Sequence, residues 1–242
     1  MDSIILAGGF AKRMWPLTKN TPKQLLDVAG KPMLTHVLES LERIKPERVI
    51  LSVNSFFSTN FERYVKNYSG PLNLELFVEY SNNEEEKLGA LGALNLLFSE
   101  YSIKGPVFIA GGDNLSNFDL NEMIKKYLET KKDVIGLYDV EDIELAKLYG
   151  IAGTKNDSIV DFYEKPNEPK STLAATAYWL LSESGITNFF NYINSGGDRD
   201  ALGNFLAWNI QEADVKSVSF RGVWYDIGDL ESYNTAQKWL SN

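Results

Sequence analysis

Residues 3–34 read SIILAGGFAKRMWPLTKNTPKQLLDVAGKPML. The opening Ser3–Ala7 is a mostly apolar run of strand length that breaks at Gly8-Gly9. At the far end the pattern turns helical: Met33, Leu34, Val37, Leu38, Leu41 and Ile44 share one face of a helix over Met33–Ile44. Between them lies a basic loop. A second strand, Pro106–Ala110, ends the same way, in Gly111-Gly112-Asp113. Glycines at strand ends let backbone amides approach a ligand closely, and open α/β sheets bind ligands beyond the carboxyl ends of their strands. Neither glycine pair fits a Walker loop or a G-x-G-x-x-G fingerprint, so P-loop and dinucleotide readings have no anchor.

The alternation continues outward. Arg48–Val53, Leu72–Val78 and Val134–Tyr138 read as strands, and Ser58–Lys66, Leu88–Tyr101 and Asp119–Thr130 as helices. This order predicts an α/β fold, a Rossmann-like mixed, mostly parallel sheet with helices on both faces. The second half differs. Tyr149–Thr154 and Ile159–Glu164 flank the turn sequence Lys155-Asn156-Asp157-Ser158 and predict a hairpin. Leu173–Leu181 reads as a buried strand, and Val215–Phe220 and Val223–Tyr225 as short ones. Helices are expected near Ile186–Ile193, Ala201–Gln211 and Leu230–Leu240. No stretch has linker composition, so residues 1–242 are expected to form one domain.

Acidic side chains outnumber basic ones 33 to 24, for a net charge of −9. That field repels phosphate and argues against nucleic acid or an anionic membrane as partner. Residues 1–31 run the other way, with Lys12, Arg13, Lys19, Lys23 and Lys31 against Asp2 and Asp27. A basic island in an acidic chain suggests a local anion site, although a solvated lysine-rich loop explains it equally well. There is no cysteine and one histidine, which removes thiolate sites and any site built on two imidazoles. His36 falls with Thr35, Glu39 and Arg43 on the polar side of its helix and receives no role. Met1-Asp2-Ser3 lacks a positive leader, and no apolar run approaches a membrane span. A soluble, cytoplasmic protein is expected.

The string LAGGFAKRMWPLTKNTPKQLLDVAGKPML at 6–34 resembles the signature of sugar-1-phosphate nucleotidyltransferases, most of all the glucose-1-phosphate thymidylyltransferase type. The family's usual Gly-Thr before the arginine is Ala11-Lys12 here. The resemblance continues through Leu88-Gly89-Ala90-Leu91-Gly92, Gly112-Asp113-Asn114, Tyr149-Gly150, Glu164-Lys165-Pro166 and Trp224-Tyr225-Asp226-Ile227-Gly228. Thr176-Ala177-Tyr178 stands where Gly-x-Tyr is more usual. The form expected is the one without the C-terminal hexapeptide β-helix that some relatives carry. The resemblance implies the nucleotide-diphospho-sugar transferase type of α/β fold, with a nucleotide-binding half over about residues 1–140 and a sugar-phosphate-binding half over about 141–242.

The resemblance also implies roles. The backbone of Leu6, Ala7, Gly8 and Gly9, with Gly89 and Asp113, would hold the nucleotide. Arg13 and Lys23 would hold the triphosphate and leaving pyrophosphate, and Lys165 the attacking phosphate. Tyr149, Gly150, Glu164 and Tyr178 would border the sugar, and Asp113 and Asp226 would bind Mg²⁺. The substrates implied are a nucleoside triphosphate, dTTP or UTP first, and a sugar 1-phosphate. Composition fits this chemistry independently: a phosphate monoester with a second pKa of about 6 is already an ionised nucleophile, so no general base is needed. Taken singly, each residue has a plainer reading: Lys23 and Lys165 as surface lysines, Asp113 as a turn or cap. Alternatives are a uridylyl- or guanylyltransferase acting on another sugar 1-phosphate, such as mannose 1-phosphate, and a non-catalytic regulatory relative. Whether identical copies assemble is left open.

Overall fold

The apolar N-terminal run forms β1 (Asp2–Leu6), with Ile4 and Ile5 wholly buried. A computed structural model describes residues 1–241; Asn242, the last residue of the expected 1–242 domain, lies outside the described residues. The chain divides into two units, one of Met1–Leu88, Ala110–Asp119 and the residues from Gly222 onward, the other of Gly89–Ile109 and Leu120–Arg221.

In the first unit β1 is followed by a small ribbon of β2 (Asp27–Val28) and β3 (Lys31–Pro32), then α1 (Met33–Glu42), β4 (Val49–Asn54), α2 (Ser58–Asn67) and β5 (Leu74–Glu79). Strands β5, β4 and β1 pair in that order, all parallel. β4 is buried along its whole length, as a parallel strand covered on both faces should be. α1 buries Met33, Leu34, Val37, Leu38 and Leu41, the face read from sequence, and His36 Nε2 lies 2.8 Å from Val28 O. The remainder of this unit comes from distant sequence.

The second unit begins with α3 (Ala90–Glu100) and β6 (Val107–Gly111), whose last two residues belong to the first unit. β7 (Asn114–Ser116) returns to the first unit. Then come α4 (Asn121–Thr130), β8 (Val134–Asp139), α5 (Ile143–Ala146), β9 (Gly150–Lys155), β10 (Ser158–Glu164), β11 (Leu173–Leu181), α6 (Glu183–Asn194), α7 (Leu202–Glu212) and β12 (Lys216–Phe220). The expected hairpin is β9–β10, turning on Asn156 and Asp157 with Asn156 at φ 57°. β8 pairs parallel with β12 and antiparallel with β11. β10 pairs antiparallel with β12 and β9, and the pair Ala174↔Ile151 joins β9 back to β11. The sheet is therefore mixed: β1, β4 and β5 pair parallel, as does β8 with β12, whereas β8 with β11, β12 with β10 and β10 with β9 pair antiparallel. Phe189 meets Phe98 at 5.0 Å and Phe205 at 5.5 Å, so rings from α3, α6 and α7 form one cluster.

The chain closes in the first unit with β13 (Trp224–Asp226) and α8 (Leu230–Leu240). β13 pairs antiparallel with β7, in the register Trp224↔Ser116, Tyr225↔Leu115 and Asp226↔Asn114. Asp229 caps α8 through a capping box with Ser232. Tyr233 Oη and Gln237 Nε2 both donate to Asp27 O, at 2.5 and 2.6 Å, which ties α8 to β2. Among the described residues no helix is long and apolar enough to cross a membrane.

Candidate active site

In the first unit the chain leaves β1 and continues its hydrogen bonding for one more residue, Ala7 N donating to Ser52 O at 2.8 Å. Asn54 Nδ2 then donates to Gly8 O (2.8 Å) and Gly112 N to Leu6 O (3.0 Å). The Glu79 carboxylate lies against Gly8, where a Cβ would stand 2.7 Å from Oε1, and Ser52 Oγ donates to it at 2.7 Å. Burial pushes the Glu79 carboxyl pKa up, and the Ser52 bond opposes the rise. Beyond Phe10 the loop turns at Ala11, which has φ 49° in the position of the family's usual glycine. A side chain in that left-handed region costs about 1 kcal/mol. Thr18 Oγ1 donates to Ala11 O (2.8 Å) and supports the loop. In the single 3₁₀ turn that follows, Met14 is buried while Lys12 and Arg13 face solvent.

Lys23 is the departure from expectation. Its exposure is only 9%, where a lysine of ordinary surface would stay in water. Nζ donates to Asp113 Oδ2 at 2.7 Å and to Ile227 O at 2.6 Å. Residues 23, 113 and 227 are distant in sequence and meet because Asp113 precedes β7 and Ile227 follows β13. The same register brings Asp226 opposite Asn114. Asn114 Nδ2 donates to Asp113 Oδ1 (3.1 Å) and to Asp226 Oδ1 (3.2 Å), so the two carboxylates are neighbours across one amide. Arg13 borders the group: a Cβ on Gly228 would lie 3.6 Å from its guanidinium. Asp229 has its pKa lowered by hydrogen bonds from Ser232, with a smaller contribution from Arg13.

The donor set suits a magnesium ion. Mg²⁺ takes one or two carboxylates and leaves its other positions to water and substrate phosphate. Two adjacent carboxylates are what Asp113 and Asp226 offer, and among the described residues no group of three or more His, Cys, Asp or Glu is arranged to hold a metal unaided.

In the second unit Gly89 has φ +72°, and a Cβ there would fall 2.3 Å from Arg199 O, so only glycine fits. The amides of Ala90 and Leu91 that follow donate to Asp200 O (2.8 Å) and Arg199 O (3.0 Å). These first amides of α3 are thus engaged by the chain itself. At the end of β10, Lys165 has φ 46° and its N donates to Tyr149 O at 3.1 Å. Glu164 keeps solvent-exposed surface, but its Oε2 lies where a Cβ on Gly150 or on Gly203 would stand, 2.9 and 2.1 Å away. That desolvation raises the Glu164 pKa, and Lys165 acts in the opposite direction. Tyr149, Gly150, Glu164 and Lys165 are therefore gathered in one place. Tyr178 is not with them as a surface: it is fully buried in β11, its ring 6.4 Å from that of Phe108. A side chain with no accessible area offers a ligand nothing to touch, and Tyr178 is better described as core.

Sequence reading missed two contributors. In the sequence Asn114 stands out only as part of Gly112-Asp113-Asn114, and Trp224, whose Nε1 donates to Asn114 Oδ1 at 2.8 Å, only as a neighbour of Asp226.

The model of the nucleotidyl transferase family matches residues 2–242, and the chain belongs to that family. Its relatives are sugar-1-phosphate nucleotidyltransferases. A UTP–glucose-1-phosphate uridylyltransferase of Haloferax volcanii is 31% identical over 75% of this chain and 72% of its own. The catalytic subunit beta of mannose-1-phosphate guanylyltransferase from Xenopus tropicalis is 28% identical over 97% of this chain. The chain spans only 63% of that relative's length. A crystal structure from Bacillus anthracis, assigned as a glucose-1-phosphate thymidylyltransferase and solved with sucrose, has the same fold, with a TM-score of 0.81 at 24% identity over 100% of this chain and 96% of that one.

Proposed function

We propose that the chain transfers a nucleoside monophosphate from a nucleoside triphosphate to a sugar 1-phosphate, releasing pyrophosphate and forming a nucleoside-diphosphate sugar. The observation that carries this is the buried Lys23, bonded to Asp113, whose carboxylate shares an amide donor with that of Asp226. Burying the Lys23 ammonium costs several kcal/mol before pairing, an expense that polyphosphate chemistry explains and simple stability does not.

In the reaction an oxygen of the sugar 1-phosphate forms a bond to the α-phosphorus while the bond to the β-phosphate bridging oxygen breaks. Pyrophosphate leaves with that electron pair. The attacking oxygen is already ionised, so no side chain needs to take a proton. The work left to the protein is to hold polyanions together and to offset charge growing on the leaving group. Arg13 and Lys23 are proposed to hold the triphosphate and the departing pyrophosphate. Asp113 and Asp226 would hold Mg²⁺, which when bound supplies positive charge beside the phosphates. The backbone from Leu6 to Gly9, with Gly89, is proposed to receive the nucleotide. Lys165 would hold the attacking phosphate, with Tyr149, Gly150 and Glu164 at the sugar hydroxyls.

The favoured substrates are UTP or dTTP with glucose 1-phosphate, supported by the 31% identity to a uridylyltransferase. GTP with mannose 1-phosphate is a second reading, supported by the guanylyltransferase relative. The site of action proposed is the cytoplasm. A matrix of four or five nucleoside triphosphates against several sugar 1-phosphates, reading pyrophosphate release, tests the assignment. Release from one matched pair is expected; no release from any pair would overturn the function. A clear preference for GTP with mannose 1-phosphate would select the second reading.

A further inference from the structure

We propose that Asn114 is a positioning residue that holds the Asp113 and Asp226 carboxylates together as one pair, and that the Trp224 indole fixes which way its amide points. The inference rests on the metal-binding role proposed above for the two aspartates.

The chemistry of the amide leaves one arrangement. An asparagine side chain has an oxygen that only accepts and an NH₂ that donates twice, whereas an indole N–H only donates. Trp224 Nε1 sits 2.8 Å from one end of the Asn114 amide, so that end is Oδ1. The NH₂ then faces the other way, toward two groups that can only accept when ionised: Asp113 Oδ1 at 3.1 Å and Asp226 Oδ1 at 3.2 Å. Asn114 is 2% exposed, so water competes little for these bonds. Reversing the amide would set its oxygen against two carboxylates and its NH₂ against an N–H. The indole forbids it.

The placement follows from backbone register. Asp113 is adjacent to Asn114 in the chain, and Asp226 is its partner across the β7–β13 ribbon. Trp224 lies on the same strand as Asp226, two residues earlier, and so points to the same face. Ile227 N donates to Asp113 O at 3.0 Å, which extends the ribbon past Asp226. Two like charges held this close repel, and a neutral double donor between them offsets the repulsion, while Lys23 Nζ meets Asp113 at its other oxygen, Oδ2, at 2.7 Å. Partners of this kind behind metal-binding groups are worth about 10–100-fold in metal affinity.

The test titrates Mn²⁺ into the protein in the presence of inorganic tripolyphosphate and reads free ion by EPR, against a tripolyphosphate-only blank. Asn114→Leu, which keeps the branched shape and removes the donors, is expected to weaken Mn²⁺ binding by about 10–100-fold. Trp224→Phe, which removes the N–H with the five-membered ring of the indole but keeps an aromatic ring, should weaken it by a smaller factor. Far-UV circular dichroism and metal-free tripolyphosphate affinity should stay as in the wild type in both variants, a pattern that a merely structural role would not give. A folded Asn114→Leu protein that binds Mn²⁺ like the wild type overturns the positioning role. If Asn114→Leu does not fold, wild-type Mn²⁺ affinity in Trp224→Phe overturns the inference. If Asp113→Ala also binds Mn²⁺ normally, the metal reading itself falls, and this inference with it.

Discussion

Replacing Lys23 by methionine keeps most of the side-chain volume and deletes the charge that meets Asp113 Oδ2 at 2.7 Å and Ile227 O at 2.6 Å. The two side chains of the pair are 11% and 25% exposed. A fully buried pair broken on one side costs about 3–5 kcal/mol, and a fully exposed one about 0–1. Lys23–Asp113 lies between these limits, nearer the buried one at the lysine and partly wetted at the aspartate, which places their coupling at about 2 kcal/mol. The assay is a double-mutant cycle of Lys23→Met, Asp113→Ala and the double variant, by urea unfolding without substrate. Lys23→Met alone should cost more than the coupling, because Ile227 O also loses its donor. A coupling within about 0.3 kcal/mol of zero would refute the reasoning, since the ion pair would then not be an energetic unit.

Arg13→Ala should lower kcat by about 10²–10³, the size of one charge-stabilising donor, with stability unchanged within about 0.5 kcal/mol because Arg13 is exposed. Lys165→Ala should raise KM for the sugar phosphate much more than for the triphosphate, and steady-state kinetics with direct titration of each substrate separates the two. Glu79 has a folded-state pKa raised by burial, so its ionised form is penalised in the fold. As pH climbs from the ordinary 4.5 through that raised value, Glu79→Gln should gain stability relative to the wild type, read as the difference in urea midpoints between pH 4.5 and 7.5; a flat difference would contradict it. Gly89→Ala should destabilise by more than about 1 kcal/mol in thermal unfolding, because φ +72° and the Arg199 carbonyl both reject a Cβ.

Long periodic segments were legible to the residue in places: β11 spans Leu173–Leu181 and α8 Leu230–Leu240, as the apolar pattern predicts. The helix expected from Leu88 starts at Ala90 because Gly89 adopts a conformation outside the helix. The ribbons β2–β3 and β7–β13 and the four-residue α5 were not anticipated as such, apart from the strand at 223–225. Two or three residues carry no period to read. The same limit governs the site. Arg13, Lys23, Asp113 and Asp226 were picked out by motif, but Lys23 read as surface because isolated lysines are usually exposed, and its burial depends on partners 90 and 204 residues away. Asn114 acquires its part only through the register of a ribbon that no local pattern announces. Tyr178 shows the opposite case: Leu173–Leu181 reads as a buried strand, and the structure buries the tyrosine with it.

The central claim is that a sugar-phosphate oxygen attacks the α-phosphorus and pyrophosphate departs. It is tested most directly with glucose 1-phosphate carrying ¹⁸O at all its phosphate oxygens, incubated with UTP, dTTP and Mg²⁺ and followed by ³¹P NMR and mass spectrometry. Every labelled oxygen should be retained in the nucleoside-diphosphate sugar, one of them as the new bridge, with the pyrophosphate unlabelled. Label in the pyrophosphate, or turnover that yields only inorganic phosphate, would contradict it.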